Sequence, residues 1–198
     1  TSITSPTELY LANADGSGER KVTAFNDKLN QEVAWPDAER FTYKGVGGLE
    51  IEGWLQKPHG YQPGKKYPLV LYIHGGPHSA YGEQWFDEFH NLTGAGMWVL
   101  FTNPRGSSGY GSAFTYSTRG RWGLEDYRDL MQAVDIAVRR PDVDSTRLGV
   151  TGGLDCGWVE GGGQPSPARA ARLRAYRTTA AARARPARAL PLGTAPGL

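Results

Sequence analysis

Residues 67–77 read YPLVLYIHGGP, an apolar run followed at once by a histidine, two glycines and a proline. A run without polar alternation suits a strand covered on both faces, as in parallel sheets. A second such run, Met97-Trp98-Val99-Leu100-Phe101, leads into Asn103-Pro104-Arg105-Gly106, and a short third is Leu148-Gly149-Val150-Thr151. Between the first two, Trp85, Phe86, Phe89 and Leu92 fall at helical spacing, with Gly94 and Gly96 placed to end the helix. Before the third, Leu124, Tyr127, Leu130, Met131, Val134, Ala137 and Val138 form one apolar face over 124–140, and Pro141 stops that helix. Strand, helix, strand, helix, strand predicts a doubly wound α/β fold with a mostly parallel sheet.

Upstream the pattern is different. Residues 8–13 and 20–25 alternate around Asp15-Gly16-Ser17-Gly18, and residues 38–45 and 49–58 alternate around Val46-Gly47-Gly48. Glycine supplies the positive φ of tight turns, so the first 58 residues read as antiparallel β. Downstream of Glu160 neither period survives. Ala, Arg, Gly and Pro make up 28 of the last 39 residues, which reads as a low-complexity, disordered segment.

Charge follows the same division. Seven of the 22 basic residues but one of the 20 acids lie in 160–198, so that segment carries +6 and residues 1–159 carry −4. A basic tail can serve nucleic acid, but these arginines come without an aromatic stacking platform or a recognised binding fold, and no specific nucleic-acid partner is expected. The single cysteine, Cys156, forms no internal disulfide. No apolar run approaches the roughly 18 residues of a membrane span and no signal peptide opens the chain, so no membrane partner and a cytoplasmic location are expected. The opening Thr-Ser-Ile, without Met, is expected of a chain lacking its true N-terminus.

Three stretches carry chemistry. HGGP at 74–77 follows a buried strand, and acyl transfer needs backbone N–H donors on glycines that let the chain approach the developing oxyanion. NPRGSSGYG at 103–111 is another strand-end loop, at the edge where open α/β sheets bind ligands. Its Arg105 either holds a substrate carbonyl or carboxylate or, the reading favoured here, braces the loop against backbone carbonyls. In the third, GVTGGLDCG at 149–157, Gly152, Gly153 and Gly157 suit a nucleophile elbow, but Leu154 occupies the nucleophile position.

The set of HGGPHSAYG at 74–82, NPRGSSGYGSAF at 103–114, GRWGLEDYRDLMQAVD at 120–135 and RLGVTGG at 147–153 resembles the prolyl oligopeptidase family of serine peptidases. The likeness is nearest to its acylaminoacyl-peptidase and dipeptidyl-aminopeptidase-like branches. It implies the last strands of a β-propeller over 1–30, the N-terminal half of an α/β-hydrolase domain over 31–153, and an aberrant tail over 154–198. It implies hydrolysis of short peptides or acylaminoacyl peptides without a cofactor. The oxyanion hole would use the Gly76 N–H and the N–H after the nucleophile, with His74 a structural residue of a substrate-facing loop that includes Gly75 and Pro77, and with Arg105 on the second substrate-facing loop.

The family's elbow reads Gly-Gly-Ser-Tyr-Gly-Gly, which places Ser at 154 and Tyr at 155, where this chain has Leu154 and Asp155. No His follows His90 and no Asp follows Asp155, so the order Ser, Asp, His is not completed and no catalytic residue of the triad is competent. Loss of nucleophile, acid, base and secondary-structure grammar within a few residues points to a reading-frame shift near codons 153–157 and an inactive fragment. The alternative is a catalytically dead peptide-binding module. A half-built sheet is expected to self-associate or aggregate.

The remaining features read as bland. Cys156 lacks an activating base, and His74 and His78 straddle Gly-Gly-Pro rather than sharing a helix face, so no metal site is expected. Asn91-Leu92-Thr93 matches a glycosylation pattern by chance within a helix.

Overall fold

The structure is a computed structural model that describes residues 2–76 and 78–152. Leu154, Asp155, Cys156, Pro77 and the 160–198 tail therefore lie outside the described residues. The chain runs β1 (Tyr10–Leu11), β2 (Arg20–Lys21), α1 (Asp27–Glu32), β3 (Ala38–Lys44), β4 (Glu50–Gln56), β5 (Tyr67–Ile73), α2 (Asp87–Gly94), β6 (Trp98–Asn103), α3 (Ser112–Thr115), α4 (Glu125–Ala137) and β7 (Val143–Gly152).

Strands β3 to β7 form one sheet in the order β3-β4-β6-β5-β7. The pairs β3–β4 and β4–β6 are antiparallel, and β6–β5 and β5–β7 are parallel. The sheet is thus mixed rather than mostly parallel. The alternating segment 49–58 is not a separate antiparallel unit: as β4 it joins the apolar strands, and only its first half alternates. Gly53, Trp54, Leu55 and Gln56 are all buried, the last because its amide donates to Pro36 O at 2.7 Å. Burial on both faces is what an interior strand requires, and the Gln56 NH2 group meets it by pairing with a backbone carbonyl.

All six residues of β6 are buried, and its alternation sorts them between two cores. Trp98 and Leu100 join Leu69, Leu71 and Ile73 of β5 against Leu130, Met131, Val134 and Ala137 of α4. Val99 and Phe101 join Trp54, Tyr81 and Phe89 of α2. Helices therefore cover both faces, as the apolar runs imply. Leu124 departs from the predicted helix face: it stands just before α4 in a non-helical conformation and is 54% exposed. Strand β7 starts earlier than the sequence predicts. Val143 pairs with Tyr67 and Leu148 with Leu69, so 144–147 bulge out, held by Asp144 Oδ1 accepting from the Thr146 N–H at 3.0 Å.

The N-terminal turn forms a small antiparallel pair, Tyr10 opposite Lys21 and Leu11 opposite Arg20, in a sheet of its own. Gly16 and Gly18 supply φ of 81° and 66° at the turn. Leu9, Tyr10, Leu11, Val22 and Phe25 along it are exposed.

Connectivity fixes where the site lies. The chain leaves β5 through α2 to reach β6 on one side, then returns through α4 on the opposite face to place β7 on the other side. The direction of winding reverses at β5, and ligands of open α/β sheets bind beyond the strand C-termini at such a reversal.

Candidate active site

The loops after β5 and β6 meet at that edge. Register pairs Tyr72 with Thr151 and Ile73 with Gly152, so His74-Gly75-Gly76 starts beside the end of β7. Gly152 has a φ of 150°, at the last described position before the elbow sequence.

Four contacts tie loop 74–82 to loop 103–111. His74 Nε2 lies 2.9 Å from Ser107 Oγ, and both side chains are buried. The Ser108 N–H donates to Ser79 O at 2.9 Å. His78 Nδ1 lies 3.3 Å from Gly106 O. Asn103, at the end of β6, accepts from the Tyr81 N–H at 2.7 Å and donates to Tyr81 O at 2.9 Å and to the Tyr110 hydroxyl at 2.7 Å. One buried amide thus satisfies both backbone groups of a residue on the neighbouring loop, and leaving them unpaired would cost their full desolvation. Burial, then the hydrogen bond to Glu52, pushes the Tyr110 hydroxyl up to about 12, so it remains a donor at neutral pH.

Arg105 turns inward. Its Nε donates to Asp129 Oδ2 at 2.6 Å, and Nη2 donates to Val46 O at 2.6 Å and to Asp129 Oδ1 at 3.1 Å. Asp129 Oδ1 also accepts the Val46 N–H at 2.8 Å, and the Tyr43 hydroxyl donates to Asp129 O at 2.9 Å. The Asp129 side chain is fully buried and that of Arg105 is 11% exposed. A single ion pair thereby joins the loop after β6, helix α4 and the β3–β4 turn. The Asp129 hydrogen bond and charge raise the Arg105 guanidinium further above its already high pKa, so it stays charged.

Gly45 leaves the room this pair needs. A Cβ there would lie 2.5 Å from Asp129 Oδ1 and 2.9 Å from Ile51 Cγ1. Gly45→Ala is expected to destabilise the fold by about 1–3 kcal/mol, the usual range for overpacking. Gly94→Ala, with nothing within 4 Å, is the control and stays near neutral. Denaturant midpoints of the two variants check this, and equal midpoints would remove the claimed crowding.

The structure therefore brings His74, Gly75, Gly76 and Arg105 to one edge and sends His74 and His78 to different partners, Ser107 and Gly106. It adds Asn103, Ser107 and Asp129, which sequence reasoning did not single out. Asp129 gave no signal: residues one and two apart do not share a helix face, and Asp129 falls off the apolar face of Tyr127, Leu130, Met131 and Val134 that the sequence shows. Asn103 and Ser107 look like ordinary polar loop residues.

The comparisons with known proteins point the same way. A profile of the prolyl oligopeptidase family matches residues 83–158. YuxL, an uncharacterized peptidase of Bacillus subtilis, is 44% identical over 155 residues, covering 78% of this chain and 23% of its own length. Dipeptidyl-peptidase 5 of Aspergillus fumigatus is 31% identical over 162 residues, covering 77% of this chain and 22% of its own. Among solved structures, the acylaminoacyl peptidase of Pyrococcus horikoshii superposes with a TM-score of 0.74 at 31% identity, covering 80% of this chain and 26% of that one. The chain spans about a quarter of the length of the curated relatives it matches. With the glycine loop after β5, the winding reversal beside it and these likenesses in agreement, the chain belongs to the prolyl oligopeptidase family.

Proposed function

We propose that this chain carries the oxyanion loop and half the sheet of an α/β-hydrolase serine peptidase, and that its first 30 residues are the end of a β-propeller. The full-length protein would hydrolyse short peptides, as the dipeptidyl and acylaminoacyl peptidases it resembles are named for doing. The observation carrying this reading is the position of His74-Gly75-Gly76, at the end of β5 and in register with the end of β7. There the Gly76 N–H would donate to the oxyanion that forms when a nucleophile, presented after Gly153, attacks a scissile carbonyl.

Leu154 has no nucleophilic atom, so the 198-residue chain is proposed to be inactive. Self-association is proposed too, because among the described residues β7 is an edge strand of ten residues. Incubation with a fluorophosphonate probe is expected to leave residues 154–156 unlabelled, and labelling there would overturn the proposed inactivity. The reading-frame proposal has its own test. Translating the locus in three frames is expected to reveal Gly-Gly-Ser-Tyr-Gly-Gly after Thr151, and a confirmed frame without that serine would refute it.

A further inference from the structure

The Gly75 carbonyl can only accept a hydrogen bond, and His74 Nδ1 lies 2.8 Å from it. Nδ1 must therefore carry the proton of that bond. In the neutral ring this leaves Nε2 as an acceptor, and Ser107 Oγ, 2.9 Å away, is the donor it faces. The Ser107 hydroxyl also reaches Pro104 O, to which it donates at 2.7 Å. That carbonyl already receives the Ser107 N–H at 3.1 Å, so the hydroxyl can turn to His74 without orphaning it. Ser107 is fully buried, which keeps bulk water from taking its place.

The consequence lies in the peptide joining Gly75 to Gly76. Its C=O and N–H share one plane and point in opposite directions. Two glycines in succession impose little preference of their own on that plane. The Gly76 N–H makes no backbone hydrogen bond among the described residues. What fixes the plane is His74, which draws the Gly75 carbonyl toward the imidazole and so turns the Gly76 N–H away from it.

We propose that Ser107 is a positioning residue of the oxyanion loop. By donating to His74 Nε2 it selects the Nδ1–H tautomer, and that tautomer aims the Gly76 N–H. The proposal rests on the reading of Gly76 as an oxyanion donor, but its test needs no turnover, so the two can fail separately.

The test is a two-bond 1H–15N correlation of the imidazole nitrogens in the 15N-labelled 198-residue chain at neutral pH. Wild type is expected to show His74 protonated on Nδ1. Ser107→Ala is expected to move it toward the Nε2–H form that free imidazole favours and to speed Gly76 amide exchange by about tenfold or more, the signature of local opening. Ser107→Thr, which keeps the hydroxyl, is expected to restore both. If Ser107→Ala does not fold, Ser107→Gly, which also removes the donor, replaces it with the same expectation. Wild-type His74 protonated on Nε2 overturns the proposal, as does an Nδ1–H form that persists when the hydroxyl is removed. A residue that merely filled space would leave the tautomer unchanged.

Discussion

Asp129→Ala is expected to destabilise the fold by about 3–5 kcal/mol, the usual cost of leaving one half of a buried ion pair behind. The wild-type carboxylate accepts from Arg105 Nε and Nη2 and from the Val46 N–H, and it is wholly buried. Alanine would leave the guanidinium facing Val46 O alone and strand a backbone donor. Asp129→Asn keeps an acceptor for the Val46 N–H but loses the charge, so it should cost less than alanine. Arg105→Ala should cost about as much as Asp129→Ala, because it leaves the carboxylate buried without its countercharge. Urea denaturation of the two single variants and the double variant supplies the cycle. The double variant should fall short of the summed singles by at least about 1 kcal/mol, since both singles break one interaction. Strict additivity would mean that the two residues do not act as a pair. Hydrogen exchange adds a second readout: amides of 105–108 should lose protection first, because Arg105 is the anchor of their loop.

That pair also marks the boundary of what sequence can express. The apolar strands are legible because burial on both faces leaves no alternation, and Tyr67–Ile73 emerges as β5 with the bounds the sequence implies. The α4 helix is legible because a 3.6-residue period survives from Tyr127 to Ala137. Strand direction is less visible. Glu50–Gln56 alternates at its start, like a strand with one wet face, yet its second half is buried because β6 pairs along it. Nothing local in EIEGWLQ says which neighbour will do so. The bulge at 144–147 is likewise decided by a side chain capping its own turn.

Within the site, the position of the glycine loop was legible, because the unalternating strand Tyr67–Ile73 ends directly at His74-Gly75-Gly76. The residues that aim it were not. Asn103, Ser107 and Asp129 act across sequence separations of 22, 33 and 24 residues. Each is a common polar residue whose meaning comes only from its buried partner. Periodicity cannot register such partners.

Phe101→Ala is expected to match the ion-pair variant in size, about 3–5 kcal/mol, as large-to-small changes of buried aromatics usually do. Phe101 is 1% exposed. Its ring stacks on its cross-strand partner Trp54, with centroids 5.4 Å apart and planes within 6°, and it meets Phe89 at 4.5 Å and Tyr81 at 5.4 Å. Tyr81 links this core to the loop: its ring stands edge-on to His74 at 5.3 Å and its backbone is held by Asn103. A cavity beneath Tyr81 should therefore loosen residues 74–82 beyond what global destabilisation explains. Trp98→Ala is the comparison. Trp98 is fully buried on the opposite face of the same strand, packed against Tyr61 and under the Arg140 guanidinium, away from the loop. Both variants should lower the denaturant midpoint by similar amounts, but only Phe101→Ala should selectively speed amide exchange at Gly75, Gly76 and Tyr81. Equal exchange in the two would show that the small core and the glycine loop are mechanically independent, and the aromatic path from β6 through Tyr81 to His74 would then carry no positioning role.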